Sequence, residues 1–134
     1  MVFKTKAVVV ERSGLRTVVN DNEAYLEVIL DGEGVAVRAD YREGTLTIFY
    51  MRDGDLTPAI TVPLTEEEAD TMRDMLSVSG MDLDASGALE YIITMAQLAL
   101  VKLKSNTPGV TVDEKALGRA LDFINRATFF YGIE

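Results

Sequence analysis

The chain has 134 residues, a formal net charge of −9, no cysteine and no histidine. That length suits one domain with one hydrophobic core, and a content of 48% hydrophobic and 26% charged residues argues against disorder. The two missing residue types exclude disulfides, thiolate chemistry, Ser-His and Cys-His nucleophile pairs, and zinc sites built from Cys and His.

The charge is uneven along the chain. Residues 1–20 hold four cations and one acid, residues 21–84 sixteen acids and four arginines, and residues 85–134 five of each sign. The middle segment, at net −12, repels phosphate at long range. The first eleven residues place Lys4 and Lys6 inside the run and lack the long apolar stretch of an export signal. Ala88–Val101 is interrupted by Glu90, Thr94 and Gln97 and falls short of the roughly 20 apolar residues of a membrane span. The expectation is a cytoplasmic protein with no membrane partner.

From residue 3 to residue 62 the pattern is strands broken by turns. Phe3–Val10 and Leu15–Val19 flank Arg12-Ser13-Gly14, and Tyr25–Leu30 follows Asn20-Asp21-Asn22. Asp31-Gly32-Glu33-Gly34 precedes Val35–Ala39, Arg42-Glu43-Gly44 precedes Thr45–Met51, and Asp53-Gly54 precedes Leu56–Val62. Steps such as Asp-Gly tolerate the positive φ of tight hairpins. Spacers this short enforce antiparallel neighbours, since a parallel crossover takes a dozen or more residues. Val35, Val37 and Ala39 share one face, as do Leu46, Ile48 and Tyr50, with Thr47, Phe49 and Met51 opposite. One sheet face is therefore apolar and helix-covered, and the other is mixed and more open.

Beyond Pro63, Thr65-Glu66-Glu67-Glu68 is a capping box that opens a helix whose stripe is Ala69, Met72, Met75 and Leu76, ending at Gly80. A second helix over Ala85–Lys104 is apolar almost all round, which implies burial on more than one side, in the domain or against another subunit. Asn106-Thr107-Pro108-Gly109 breaks the chain. A third helix begins near Asp113, with Thr111 or Asp113 as its cap, and its stripe is Leu117, Ala120, Leu121, Ile124, Ala127 and Tyr131. The reading is one α+β domain over 1–134. An antiparallel β-meander of five to six strands (1–63) precedes three helices packed on one face (64–134).

No motif supplies a catalytic or cofactor signature. The first half of a calcium loop is present in Asp82, Asp84, Ser86 and Glu90, with Gly87 at the sixth position. The twelfth position, which needs a bidentate carboxylate, is Ile93, so cap chemistry for the second helix explains these residues better. Asp53 and Asp55 reproduce a carboxylate pair, the basis of a small carboxylate enzyme as one alternative, but they belong to a turn. No cofactor is expected.

Tyr25, Tyr41, Phe49 and Tyr50 lie in the strands or at their edges, near Arg38, Arg42 and Arg52. A meander followed by a helix, with aromatics and arginines on the sheet, resembles the general shape of PUR-like and Whirly-like modules. That resemblance implies single-stranded nucleic-acid binding on a face containing Arg38, Arg42, Phe49 and Arg52. The acidic middle segment opposes it. The leading expectation is a non-enzymatic acidic interaction or accessory protein. It would associate with itself, and with another protein, through Leu100, Leu103, Phe123, Phe129, Phe130 and Tyr131.

Overall fold

The computed structural model describes residues 6–8, 15–19, 23–30, 35–72, 74 and 85–130. The fold is α+β. One antiparallel sheet runs in chain order through β1 (Lys6–Val8), β2 (Leu15–Val19), β3 (Glu23–Leu30), β4 (Val35–Arg42), β5 (Thr45–Arg52), β6 (Asp55–Pro63) and β7 (Thr111–Val112). Helix α1 begins at residue 66 and is described to residue 74 apart from position 73. Helix α2 spans Ala85–Lys104 and α3 spans Glu114–Phe130. The seventh strand, between α2 and α3, was not foreseen from the sequence.

Two tight turns set the central register. Glu43 (φ 47°) with Gly44 (φ 79°), and Asp53 (φ 52°) with Gly54 (φ 88°), each place two successive residues at positive φ. This is the type I′ arrangement, whose twist matches that of the strands it joins. The Gly44 N–H donates to the Tyr41 hydroxyl at 3.2 Å, and the Gly44 carbonyl accepts from the Leu64 N–H at 2.8 Å. The first turn is thereby bonded to the junction between β6 and α1.

The register pairs Val37 with Tyr50 and Val28, Ala39 with Ile48, and Leu46 with Val62. All of these side chains are buried in one core with Leu89, Ile92, Met95 and Ala99 of α2 and Ala116, Ala120, Phe123 and Ala127 of α3. Ala69 and Met72 add the inner stripe of α1. Both long helices pack on this face, α2 against β3–β6 and α3 against β4–β6. The all-round apolar character of α2 is largely satisfied within the chain. Tyr91, Ile93, Leu98 and Leu103 pack against the same core, partly buried.

A bulge in β6 positions α3. Ile60 faces Ile48 but Pro58 faces Phe49, so Ala59 is an extra residue on its strand. Its carbonyl accepts from the Asp113 N–H at 2.9 Å, just beyond the β7 pairs Ile60–Val112 and Thr61–Thr111. Asp113 then caps α3, with its Oδ1 accepting from the Ala116 N–H at 3.1 Å. Between the helices, Asn106 (φ 54°) closes α2 in a Schellman arrangement. The Thr107 N–H reaches the Lys102 carbonyl at 3.1 Å and the Asn106 N–H the Leu103 carbonyl at 3.2 Å.

The capping box of α1 forms as the residues imply. The Thr65 N–H donates to Glu68 Oε1 at 2.9 Å, and the Glu68 N–H donates to Thr65 Oγ1 at 3.2 Å. Lys102 Nζ on α2 donates to the same Glu68 oxygen at 2.8 Å. The Lys102 hydrogen bond, followed by the Thr65 N–H, holds the Glu68 carboxyl below its ordinary value.

Three stability effects follow. Thr65→Ala should lower the unfolding free energy by about 1 kcal/mol. Gly44→Ala should lower it by roughly 1 kcal/mol through the positive φ alone, since an added methyl meets no atom within 4 Å there. Both are read by urea unfolding. A carboxyl with a lowered folded-state pKa stabilises the fold above its unfolded pKa, and the contribution is lost as pH falls through the folded value. The difference in melting temperature between the native chain and Lys102→Met should therefore be constant near neutrality. It should shrink as the solution is taken to about pH 3, below the ordinary carboxylate range.

Candidate functional site

Two surfaces hold the residues that the sequence singles out. The first is the sheet face opposite the helices. Alternation along β3, β4 and β5 places Tyr25, Glu27, Ala36, Arg38, Asp40, Arg42, Thr45, Thr47, Phe49 and Met51 there, since each is paired with another of this set. Arg38 lies across from Glu27 on one side and from Phe49 on the other. Its Nε and Nη2 donate to Glu27 Oε2 at 2.9 and 2.8 Å, and its guanidinium carbon stands 4.0 Å from the centroid of the Tyr25 ring.

This face is less open than alternation alone suggests. Glu27 and Ala36 are fully buried, Asp40 is nearly so, and Phe49 and Met51 are half-buried. A carboxylate removed from water is tolerated only when paired and hydrogen-bonded, and the Arg38 fork supplies both. Near the Glu43-Gly44 turn the face sinks into a hollow of about 410 Å³ lined by Asp40, Arg42, Glu43, Thr45, Thr47 and Phe49. The Thr47 and Thr61 hydroxyls are 3.1 Å apart on the same face.

The structure redraws the nucleic-acid face. Arg38, Arg42 and Phe49 do share a surface, but Arg52 does not. Its cross-strand partner is Val35, on the apolar side at the far end of β5, so Arg52 points away from the other three. The reason is parity: 52 is an even position on a strand whose outward residues are odd. Arg38 is electrically matched by Glu27. Arg42 shares its hollow with two carboxylates, Asp40 and Glu43. Arg52 lies 3.9 Å from Asp53 in an exposed pair of little energetic weight.

The second surface is helical. Phe123 is a correction to the expected interface: it is fully buried between α3 and the sheet and belongs to the core. Leu103 packs against that core and Leu100 is half-buried. Phe129 is 90% exposed near the end of α3, and Val101 on α2 is 60% exposed. The Phe130 side chain and Tyr131 lie outside the described residues.

The remaining candidates do not assemble. Asp82 and Asp84 lie outside the described residues, as does the side chain of Ser86. Because α2 already begins at Ala85, Ser86, Gly87 and Glu90 are helical. A calcium loop instead requires a sharp turn at the glycine. Glu90 is exposed on α2. Asp53 belongs to a tight turn and Asp55 to the strand beside it, both exposed. Among the described residues no three acidic side chains converge as a metal site would require, and no helix is long and apolar enough to cross a membrane.

Comparison with known proteins finds no matching family model, no matching curated protein and no matching solved structure. The likeness to PUR-like and Whirly-like modules therefore rests on element order and residue types alone.

The Glu27–Arg38 pair was missed in the sequence, although both positions are equally distant from the Asp31–Gly34 connection and so face each other across it. Removing one member should cost far more than removing both. Arg38→Met should destabilise the fold by about 3 kcal/mol. Adding Glu27→Gln to that variant should recover a substantial part of the loss, as measured by urea unfolding of the three proteins.

Proposed function

We propose that this chain is a non-enzymatic interaction protein that associates with itself and, in that form, engages another protein. The observation that carries this reading is Phe129. A large aromatic side chain is left 90% exposed near the end of an amphipathic helix whose other face enters the core. Aromatic residues of this kind are the usual anchors of protein interfaces. Val101, 60% exposed on α2, adds apolar surface, and Phe130 and Tyr131 extend the aromatic run in sequence.

The chemistry of the sheet face also favours binding over catalysis. Its fully buried carboxylate, Glu27, is engaged by Arg38. Its hollow presents two threonine hydroxyls and three charged groups around one aromatic ring, with acids outnumbering the arginine. The nucleic-acid alternative draws little charge from this arrangement, since one of its arginines is paired internally and another faces away.

Size-exclusion chromatography with light scattering, recorded at 260 and 280 nm, tests the reading. The expected mass is a multiple of the 14.7 kDa of one chain, with protein-only absorbance. Phe129→Ser should reduce that mass while leaving the melting temperature within a few degrees of the native value, because exposed positions contribute little to stability. A native mass of one chain at every concentration would remove the self-association reading. Strong absorbance at 260 nm would put the Arg38, Arg42 and Phe49 face in its place.

A further inference from the structure

We infer that two copies of this chain pair through the outward faces of their α2 helices, antiparallel and about a two-fold axis at Gln97. The inference rests on the self-association reading and assigns one of its contacts. Phe129, on α3, lies outside that contact.

Among the described side chains of α2, the exposed ones are Glu90, Thr94, Gln97, Val101 and Lys104. Their spacing alternates between four and three positions, so they form one seam along the outward side of the helix. Ile93 and Leu100 are half-buried and border the seam on one side. Between its charged ends the seam asks little of water. Val101 is 60% exposed, and the Thr94 hydroxyl donates to the Glu90 carbonyl of its own helix at 3.0 Å. The core absorbs the inner side of this apolar helix through Leu89, Ile92, Met95 and Ala99. The seam is the part that the chain itself leaves uncovered.

Helix α2 carries three charged residues. Lys102 is held by Glu68 of α1 at 2.8 Å. Glu90 and Lys104 make no ion pair among the described residues. They stand seven positions before and after Gln97, each about 10 Å from it along the helix at 1.5 Å per residue. That symmetry decides the orientation of a pair. Parallel helices would set Glu90 against Glu90 and Lys104 against Lys104. Antiparallel helices set Glu90 of each copy against Lys104 of the other. The same reversal brings Ile93 to Leu100 on one side of the seam and the Thr94 methyl to Val101 on the other. Gln97 then meets its own copy, where an amide can both donate and accept. Every contact except this central one occurs twice, as a two-fold interface requires. Charges that match only across copies, with a polar residue between them, fix the orientation and register of paired helices.

The chain has no cysteine, so one placed at Gln97 is a direct probe. Packed helices lie about 8–10 Å apart and each Cα about 2.3 Å from its axis, which leaves facing Cα atoms roughly 5 Å apart, within disulfide reach. Gln97→Cys should form a covalent dimer on mild oxidation, and Arg119→Cys, exposed on α3, should not. A charge exchange read by light scattering tests the orientation. Glu90→Lys and Lys104→Glu, each alone, turn two ion pairs per dimer into repulsions and should raise the dissociation constant about tenfold. The double variant keeps the native net charge of −9 and pairs opposite charges again, so its dissociation constant should return to the native one. Damage to α2 itself would add up in the double variant, whereas an effect across copies cancels. Circular dichroism establishes that each variant is folded. Should a reversal unfold the chain, the Gln97→Cys crosslink, which changes no charge, decides. If Gln97→Cys crosslinks no better than Arg119→Cys, or the folded double variant associates no better than the single ones, the α2 pairing is wrong while self-association stands. If the native chain has a mass of 14.7 kDa at every concentration, the inference falls together with the reading beneath it.

Discussion

The register of the central hairpins is the constraint on which the rest of this structure depends. Two pairs of residues at positive φ, Glu43-Gly44 and Asp53-Gly54, admit only one alignment of β4, β5 and β6. Side chains alternate with a period of two, so that alignment assigns every residue of the sheet to a face. Val37, Ile48 and Val62 go to the helices, and Arg38, Phe49 and Thr61 go to the other side. A slip of one residue would bury Arg38 and Thr47 beneath α2 and α3 and turn Leu46 and Ile48 outward. The core, the ion pair and the hollow all follow from two short turns.

The helical half is attached to this sheet by backbone and charge as well as by apolar contact. The Ala59 bulge turns a carbonyl toward Asp113, and Asp113 in turn caps α3. One residue thus ends a strand pairing and begins a helix. Elsewhere Lys102 on α2 reaches Glu68 on α1, 34 positions away in sequence. That bond completes a capping box already made by Thr65. At α3 the Ala59 carbonyl of β6 takes the Asp113 N–H, and at α1 the capping box satisfies its own N–H groups while Lys102 ties its carboxylate to α2.

Much of this was legible in the residues. The six strands before α1, the ends of α2 and the capping box follow from alternation, apolar run length and the Thr65–Glu68 spacing. What escaped was non-local. β7 is two residues long and has no periodicity to detect; it exists because Ile60 and Thr61 offer it an edge. Ala59 carries no sign of a bulge beyond its neighbour Pro58. The fate of the α2 surface was also not local. Whether Ile93 and Leu98 face water depends on where α3 and the sheet lie, and the structure packs both against the core. The face of Arg52 and the facing of Glu27 with Arg38 were within reach, since counting outward from each turn gives both.

The brevity of β7 bears on how the molecule opens. Every pairing from β1 to β6 joins strands adjacent in sequence, so these contacts close short loops and carry a low entropic cost. β7 pairs with a strand about fifty residues earlier through only two residue pairs, Ile60–Val112 and Thr61–Thr111. It is the least supported rung of the ladder and lies at an outer edge of the sheet. Release of those two pairs would bare that stretch of β6 with the meander intact, a sub-global opening of the kind read by amide hydrogen exchange. Pro58, which has no N–H to offer, and the charged tip at Asp55 flank that exposed edge. They make it a poor template for a strand from another chain, so the opening need not lead to aggregation.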